Sequence, residues 1–238
     1  MKPLNTLDIP MTNQLFHLLQ ICDSNFPSGA FSHSFGIETY IQEERIVNKE
    51  TFLIAIKQYI QTQFCYTDGL ACRLAYEAIQ DNKIEKVWQL DQELYALANA
   101  RETREGNKRV GRQHVKVMNE IYQNDLLKMY ETKIKAKERH GHSSLVFAII
   151  CNGLKIDIAM TLSSYIFATI SSLVQNGVRG IPLGQTDGQR ILNELQPFLT
   201  DQVEKIMQLS EDEFGASVPG LEIAQMLHEQ LSVRLFMS

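Results

Sequence analysis

Apolar residues recur at three- and four-residue steps along most of this chain, and this spacing constrains the fold more than any other feature. Such spacing places the apolar side chains on one face of a helix. Only six prolines interrupt the 238 residues, so long stretches run without a helix breaker. The alternation that a half-buried strand requires is hard to find. The sequence therefore predicts an all-α protein, a single-domain helical bundle of about ten helices over residues 1–238. The periodic positions are Phe52, Ile56, Tyr59, Ile60 and Phe64, then Val87, Leu90, Leu94 and Leu97, and later Leu192, Leu195 and Leu199.

The segment 158–174 contains no charged residue. Its length is at the lower limit for a membrane span, so it is either such a span or a helix buried inside the bundle. Several Ser and Thr side chains lie in the segment, and no basic cluster flanks it. These features favour a central helix that is buried on nearly all sides, with no membrane involved.

Two connections carry turn signals. Residues 27–29 read Pro-Ser-Gly, which predicts a turn followed by a helix that starts near residue 32. In the second connection, Gly177 is placed to end the long apolar helix. Thr186, with Gln189 three residues later, then fits a capping box that opens the next helix. The segment between the two long helices is thus predicted to be a short, stiff elbow.

Motifs for catalysis and for nucleotide binding are missing. The sequence has no P-loop, no G-x-G-x-x-G after a strand, no G-x-S-x-G and no H-E-x-x-H. The net charge of −5 argues against nucleic-acid binding. Four cysteines without a C-x-x-C indicate buried free thiols, and the first residues lack the apolar core of a signal peptide. We therefore expect a cytoplasmic binding or scaffolding protein rather than an enzyme.

His140 and His142 form an H-G-H sequence at a predicted helix boundary. Alternate histidines can bind a divalent transition-metal ion. The pair supplies only two ligands, and Gly141 leaves the backbone permissive. The motif is therefore either a weak metal site or the loop that enters a helix.

A basic stripe occupies residues 101–116. Arg101, Arg104, Lys108, Arg112 and Lys116 recur at three- and four-residue steps, so they share one face of a helix. The stripe either meets an acidic partner or forms a solvated face whose charges pair with neighbouring glutamates, Glu102 and Glu105.

Three stretches resemble the UreF family of urease accessory proteins. They are LLQICDSNFPSGAFSHSFGIETY at residues 18–40, PLGQTDGQ at 182–189 and HEQLSVRLFMS at 228–238. Their order and spacing suit one domain that covers essentially the whole chain.

The resemblance implies an all-α, homodimeric, non-catalytic chaperone of urease maturation. It implies partnership with UreD (UreH in some organisms), with the GTPase UreG and with apo-urease. The assembly delivers nickel, so this chain needs no intrinsic cofactor. The alternative function is a nickel-binding carrier that uses His140 and His142 itself.

The N-terminal stretch contributes a signature turn to the expected sites. His33 in this turn is either structural or in contact with a partner. The signature residues are Pro27, Gly29, His33, Ser34, Gly36 and Glu38.

In the elbow, Arg179 is a cation that could act in trans on the partner GTPase. Gln185 and Asp187 join it as candidate UreG-binding residues. Alternatively, Arg179 forms a salt bridge with Asp187 or with the other copy of a homodimer.

The C-terminal stretch is the candidate UreD/UreH-binding segment. Arg234 would anchor it by forked hydrogen bonds, while Leu235 and Phe236 fill an apolar pocket. Alternatively, the tail covers this chain's own core. An apolar stripe at helical spacing predicts one helix that docks by this face. The stripe comprises Leu221, Ala224, Leu227, Leu231 and Leu235.

Overall fold

The computed structural model describes the backbone of residues 8–237 and the side chains of residues 13–237. Within these residues the regular structure is helical, without a strand, which confirms the predicted all-α class. Eleven α-helices follow one another in the described part of the chain. They are α1 (Asp8–Ile21), α2 (Ile37–Gln42), α3 (Lys49–Tyr59), α4 (Leu70–Gln80), α5 (Ile84–Leu97), α6 (Arg101–Ile121), α7 (Asp125–Lys135), α8 (Ser143–Gly153), α9 (Ile158–Gly180), α10 (Gln185–Gln208) and α11 (Pro219–Leu227).

Helices α3 and α4 are joined without a break by a π-helix, Ile60–Gly69. Asn48 caps the start of α3, because its side chain accepts a hydrogen bond from the Thr51 N–H at 2.9 Å. The predicted apolar face is buried from Phe52 through Phe64, as the spacing indicated. The π-helix itself was not predicted, because its wider turn leaves no simple signal in apolar periodicity.

Helix α4 is buried at eight of its eleven residues, and α8 is buried to the same extent, at every residue from 144 to 151. Helix α8 packs against α4, α6 and α9. The centre of the bundle is therefore the α4–α8 pair rather than the segment 158–174. Short helices of mixed Ser, Ala and aliphatic residues can be surrounded on all sides, since they present no charge to bury.

Helix α9 is buried along one side only. By length and mean hydropathy (1.3) it could span a membrane, yet only 39% of its apolar window is buried in the protein. Its inner side packs against α10, whereas Ala159, Ser163 and Phe167 are exposed. The expectation that 158–174 is buried on nearly all sides is therefore wrong. The absence of charge did not distinguish a core helix from a surface helix with a neutral outer face.

The ends of α9 and α10 differ from the prediction. Gly177 lies inside α9, where a Cβ would come 2.2 Å from the ring of Phe52, so glycine is needed for close packing and does not end the helix. Helix α10 starts at Gln185, and the Asp187 carboxylate accepts a hydrogen bond from the Gly184 N–H at 3.3 Å. The predicted Thr186–Gln189 capping box is thus replaced by Gly184 and Asp187.

The predicted start of the signature helix and the predicted end of the tail helix also differ from the structure. The residues after the Pro-Ser-Gly turn form a short 3₁₀ segment, Ala30–Ser32, and α2 begins only at Ile37. Helix α11 ends at Leu227, a 3₁₀ turn covers His228–Gln230, and the tail then continues without helix. The predicted stripe is therefore split: its first residues are buried, whereas Leu235 is exposed.

The four cysteines are free thiols, three of them buried and Cys22 half-buried. Burial raises the pKa of Cys22 to about 12 and that of Cys65 to about 11. These thiols stay protonated at neutral pH, so they act as small apolar groups. This agrees with the prediction of buried free thiols.

Candidate partner-binding surface

Glu38 connects the signature turn to the C-terminal tail. Its carboxylate lies on α2 and is only 1% exposed. One oxygen accepts a hydrogen bond from the Leu235 N–H at 2.6 Å, and the other accepts one from the Phe236 N–H at 3.1 Å. A buried carboxylate needs such donors, and the tail backbone needs acceptors, so each satisfies the other. Glu38 thus holds the tail against the body of the protein.

His228 continues this polar cluster. Its Nε2 lies 2.9 Å from a Glu38 oxygen, and its Nδ1 lies 2.8 Å from a Glu102 oxygen. The other Glu102 oxygen accepts a hydrogen bond from Arg234 at 2.7 Å. The four side chains therefore form a chain of alternating acidic and basic groups, Glu38–His228–Glu102–Arg234, which we call the tail clamp.

The tail clamp changes the acidity of Glu102. Partial burial raises the pKa of this carboxyl group, but the hydrogen bonds and charges of His228 and Arg234 outweigh burial and hold the pKa below its ordinary value. The ionised form of Glu102 is therefore stabilised in the folded state. Its contribution to stability is present above the ordinary glutamate pKa and is lost as the pH falls through the lowered value.

Phe236 places its ring against the body of the protein and is only 5% exposed. The guanidinium of Arg179, on the last turn of α9, lies over this ring at 5.3 Å from the centroid. Arg179 also approaches the Phe31 carbonyl at 3.5 Å, and the Met237 N–H donates to the Ser32 carbonyl at 2.8 Å. The signature turn, the elbow arginine and the tail, which the sequence offered as separate sites, therefore meet at one place.

The Pro-Ser-Gly residues form the predicted turn. The Ser28 N–H donates to the Phe26 carbonyl at 2.7 Å across Pro27, and Gly29 has a φ of +81°. The side chain of Pro27 is exposed. A positive φ is readily adopted by glycine, so this position suits Gly29.

His33 and Ser34 are buried behind the turn. His33 is stacked on Phe35, and its carbonyl accepts a hydrogen bond from the side chain of Asn176 at 2.8 Å. Burial lowers the pKa of His33, and the charges of Arg109 and His228 lower it further. The Ser34 hydroxyl accepts from the Glu38 N–H at 3.3 Å at the start of α2. These contacts hold the turn to the body of the protein.

Gly36 allows α11 to approach the signature turn. Its φ is +90°, and a Cβ on this residue would lie 2.8 Å from Cγ of Gln225. The Gln225 side chain in turn donates to the Phe35 carbonyl at 3.2 Å, and Thr39 donates to the Ala224 carbonyl at 2.7 Å. Helix α11 is thereby fixed beside α2, which places His228 within reach of Glu38.

The predicted elbow residues do not form one cluster. Asp187 pairs with Arg190 at 3.1 Å and caps the first turn of α10, so the alternative of an Arg179–Asp187 salt bridge is wrong. Gln185 is exposed at the first residue of α10. Arg179 is exposed as well, but it belongs to the tail contacts rather than to α10.

His140 and His142 have different neighbours. The His140 ring is stacked on Tyr95, with centroids 3.6 Å apart, and Nε2 lies 3.3 Å from the Gln92 amide oxygen. His142 is buried, with Nδ1 2.8 Å from the Ser144 hydroxyl. Among the residues that the structure describes, no group of three or more His, Cys, Asp or Glu side chains is arranged to hold a metal ion. The geometry therefore adds no third ligand to the H-G-H pair.

A buried carboxylate organises the H-G-H loop. Asp91 accepts hydrogen bonds from the backbone N–H groups of His140 at 2.8 Å and Gly141 at 2.9 Å, and from the hydroxyl of Tyr130. Asp91 is 1% exposed, and these three donors satisfy its buried oxygens. The helix-entry interpretation of the motif agrees with this arrangement, because α8 begins at Ser143 directly after the loop.

A partly open cavity of about 180 Å³ lies behind the signature turn. Its lining includes His33, His114 and His142, together with Gln63 from the π-helix. Burial lowers the pKa of His114 to about 4. His114 is therefore neutral at physiological pH, with Nδ1 3.0 Å from the Ser143 hydroxyl.

The basic stripe of α6 forms salt bridges both with the C-terminal segment and within α6 itself. Arg101 pairs with Glu229 at 2.8 Å, and Lys108 pairs with Glu105 at 2.8 Å. Glu102 belongs to the tail clamp instead of pairing along the stripe. The expected pairing with neighbouring glutamates is thus found for Glu105 only.

Exposed apolar side chains surround the tail clamp. In the tail, Phe236 is buried, whereas the side chains of Val233 (67% exposed) and Leu235 (56%) project outward, although the tail backbone is fixed. The outer side of α11 is also apolar and exposed. Clustered exposed apolar residues commonly mark interaction sites. We call this set the tail surface; it comprises Phe31, Ile223, Met226, Leu227, Val233, Leu235 and Met237.

Two residues of the clamp were missed as sites by sequence reasoning. His228 lies in the quoted C-terminal stretch, and Glu102 lies in the basic segment, but neither was singled out. Glu102 and Glu38 are distant in sequence, and the pattern around each is typical of an ordinary helix. A buried glutamate is unusual enough to be a signal, but burial is visible only in the fold.

The known proteins that are similar to this chain belong to one family. The UreF family model matches residues 46–196. The chain belongs to the UreF family. One relative, the urease accessory protein UreF of Bacillus sp., is 53% identical over 226 residues, which are 95% of this chain and all of the relative. The proteins of the same name from Lachnoclostridium phytofermentans and Geobacillus kaustophilus are 49% and 51% identical over 96% and 94% of this chain, and over 100% and 98% of their own lengths. The predicted resemblance to the UreF family is thereby confirmed.

Proposed function

We propose that this chain is a non-catalytic accessory protein of urease maturation that bridges UreD/UreH and the GTPase UreG and modulates the GTPase. The relatives that it matches over nearly their full lengths are named urease accessory proteins. The chain lacks a P-loop of its own, so the GTP chemistry comes from UreG. Nickel for apo-urease is handled by the assembly, and the chain acts in the cytoplasm as a homodimer.

The tail surface is the proposed docking site for UreD/UreH. The observation that carries this assignment is the tail itself: Glu38 fixes its backbone, Phe236 is buried, and Leu235 remains exposed. A rigid segment that presents apolar side chains loses little conformational entropy on binding. The buried Phe236 supports the alternative for that one residue, namely that it covers this chain's own core. Arg234 contributes to partner binding indirectly, because its hydrogen bond to Glu102 holds the tail in place.

The elbow is the proposed contact with UreG. Arg179 and Gln185 are exposed near the junction of α9 and α10, and Asp187 orders the first turn of α10. An arginine presented in trans can stabilise charge on a transferring phosphoryl group. Gln185→Ala is the cleaner test of this contact, because Arg179 is also engaged by Phe236.

The decisive experiment separates docking from folding. Leu235→Gln changes an exposed side chain and leaves the N–H that donates to Glu38 in place. Ile54→Gln on α3, also 56% exposed, is the matched control. We expect Leu235→Gln to weaken co-purification with UreD/UreH by about tenfold, as for a leucine in an interface, while Ile54→Gln binds normally. Equal binding by both variants and the wild-type chain would refute the tail surface as the docking site.

A further inference from the structure

A basic groove lies on a different part of the molecule from the tail surface. It has a volume of about 620 Å³ and is bounded by α5, α6, α7 and the loop that leads to α8. Lys108, Arg112, Lys135, Lys137 and Arg139 line it, against one carboxylate, Glu131. This concentration of cations is notable in a chain with a net charge of −5.

Some of these cations are already paired. Lys135 pairs with Glu131 at 2.7 Å, and Lys108 lies 2.8 and 2.9 Å from the two oxygens of Glu105. Lys135 also lies in the last turn of α7, where a cation favours the helix dipole. These two lysines therefore have structural roles, and they do not by themselves indicate a ligand.

The remaining cations form no salt bridge within the described residues. Arg112 donates from Nε to the His140 carbonyl at 3.1 Å, and its charge reaches Glu105 only through space, where it helps to lower the pKa of that carboxyl group. Arg139 donates to a neighbouring carbonyl, and its buried Nε has no hydrogen-bond acceptor among those residues. Lys137 is exposed, and its ammonium group makes neither an ion pair nor a hydrogen bond among the described residues. Three neighbouring positive charges are therefore available to one ligand.

The pKa of His140 reflects the positive charge of these groove residues. Burial lowers the pKa of this histidine, the charge of Asp91 raises it, and Lys108, Arg112 and Arg139 lower it again. The net direction is downward, so the ring is favoured in its neutral form. Neutral His140 is stacked on Tyr95 with an angle of 4° between the rings, and this pair gives the groove a flat, rigid wall.

We propose that the basic groove binds an acidic segment of a partner protein, a short run of Asp and Glu side chains. The three cations without a salt bridge come from α6 and from two positions of the loop between α7 and α8, so they suit several separate carboxylates. The guanidinium of Arg112 can hold a carboxylate by forked hydrogen bonds, and the lysines add charge without demanding one geometry. A nucleic acid fits less well, because the acidic remainder of the chain repels an extended phosphate backbone.

The test uses the purified full-length chain and fluorescein-labelled octaglutamate, measured by fluorescence anisotropy. The groove variant is Arg112→Glu/Lys137→Glu, and a milder Arg112→Gln/Lys137→Gln guards against misfolding. The control is Arg45→Glu/Lys83→Glu, which makes the same change of charge at positions whose side chains are 68% and 71% exposed. Because no urease component is used, failure here leaves the proposed function untouched.

We expect saturable binding at about 20 mM salt that weakens strongly at about 200 mM salt. The groove variants should bind about tenfold more weakly, whereas the control should stay close to the wild-type chain. No binding at low salt, or equal loss in the groove and control variants, would overturn the proposal. Stronger binding of labelled oligothymidylate, or displacement of the peptide by lower concentrations of pyrophosphate than of free octaglutamate, would overturn it in favour of a phosphate site.

Discussion

The guanidinium of Arg179 lies over the ring of Phe236, although the two residues are far apart in the sequence. This contact couples the elbow between the two longest helices to the C-terminal tail. A change at Arg179 intended to test an action on UreG therefore also disturbs the segment proposed to bind UreD/UreH. The two proposed partner sites are adjacent in the folded chain, which suits a protein that bridges two others.

Arg179→Ala should loosen the tail. A cation–π contact at an exposed site stabilises by about 0.5–1 kcal/mol, which lowers the melting temperature by about 1–4 °C in a chain of this size. Trypsin should then cut more readily after Arg234, which serves as the measure of tail release. Arg179→Lys keeps the charge but loses the flat stacking surface, so it should fall between the wild-type chain and Arg179→Ala. Unchanged cleavage in both variants would show that the stack does not hold the tail.

Glu38→Gln should release the tail more completely. The two Glu38 oxygens serve the N–H groups of Leu235 and Phe236, and an amide can offer only one oxygen acceptor. Leaving a buried donor without an acceptor costs about 1–3 kcal/mol. Hydrogen exchange at these two amides should accelerate accordingly.

The matched control is Glu50→Gln, which changes an exposed carboxylate on α3. It should leave both amides of the tail protected. Slow exchange of the Leu235 and Phe236 amides in Glu38→Gln would contradict the clamp.

Stability should fall as the pH is lowered from about 6.5, with His114 as one cause. Burial holds its pKa at about 4, whereas the unfolded chain has an ordinary histidine pKa of about 6.5. Between these values the unfolded state binds more protons, so acid favours unfolding. At about pH 5 the loss from this one residue is about 2 kcal/mol.

Urea unfolding at pH 7 and pH 5, for the wild-type chain and His114→Gln, measures this contribution. The variant should lose less stability between the two pH values, by roughly the amount expected from His114. An identical pH dependence in the two proteins would show that His114 titrates alike in the folded and unfolded states.

Gly36→Ala should be more destabilising than Gly29→Ala. Both glycines have positive φ angles, so an added Cβ strains either position by about 1 kcal/mol. At Gly29 the Cβ would meet no atom within 4 Å, whereas at Gly36 it would lie 2.8 Å from Gln225 Cγ and 3.2 Å from its backbone nitrogen. The second position therefore adds a displacement of α11. Equal free energies of unfolding for the two variants would exclude this packing role.

Local patterns predicted the helices well where one side of a helix is buried. The periodic residues from Phe52 to Phe64 and from Leu192 to Leu199 lie on buried faces as expected. The helix ends were less predictable. Gly177 carries the usual signal of a helix end, yet it serves contact with Phe52, and this contact depends on how α3 and α9 cross.

The candidate site was predictable only as separate pieces. The motifs that resemble the UreF family contain Glu38 and the tail, and Arg179 lies just before the motif at 182–189, but no local pattern states that the three touch. Glu102 and His228 were missed because an acidic residue on a helix and a histidine near a terminus have ordinary surface roles in most proteins. The burial of His228 and the partial burial of Glu102 beside it are properties of the packed helices.

The sequence by itself determined the helical class, the buried faces of the helices, the family and the residues of the tail, because these follow from local spacing and from motifs. Only the tertiary structure decided which helices are central, where α9 ends and which side of the tail faces outward. It also brought Glu38, Glu102, His228 and Arg234 together, across separations of 126 to 190 residues between contacting side chains. Such contacts depend on how whole helices pack, and the strength of an ion pair or hydrogen bond depends on the burial that this packing creates.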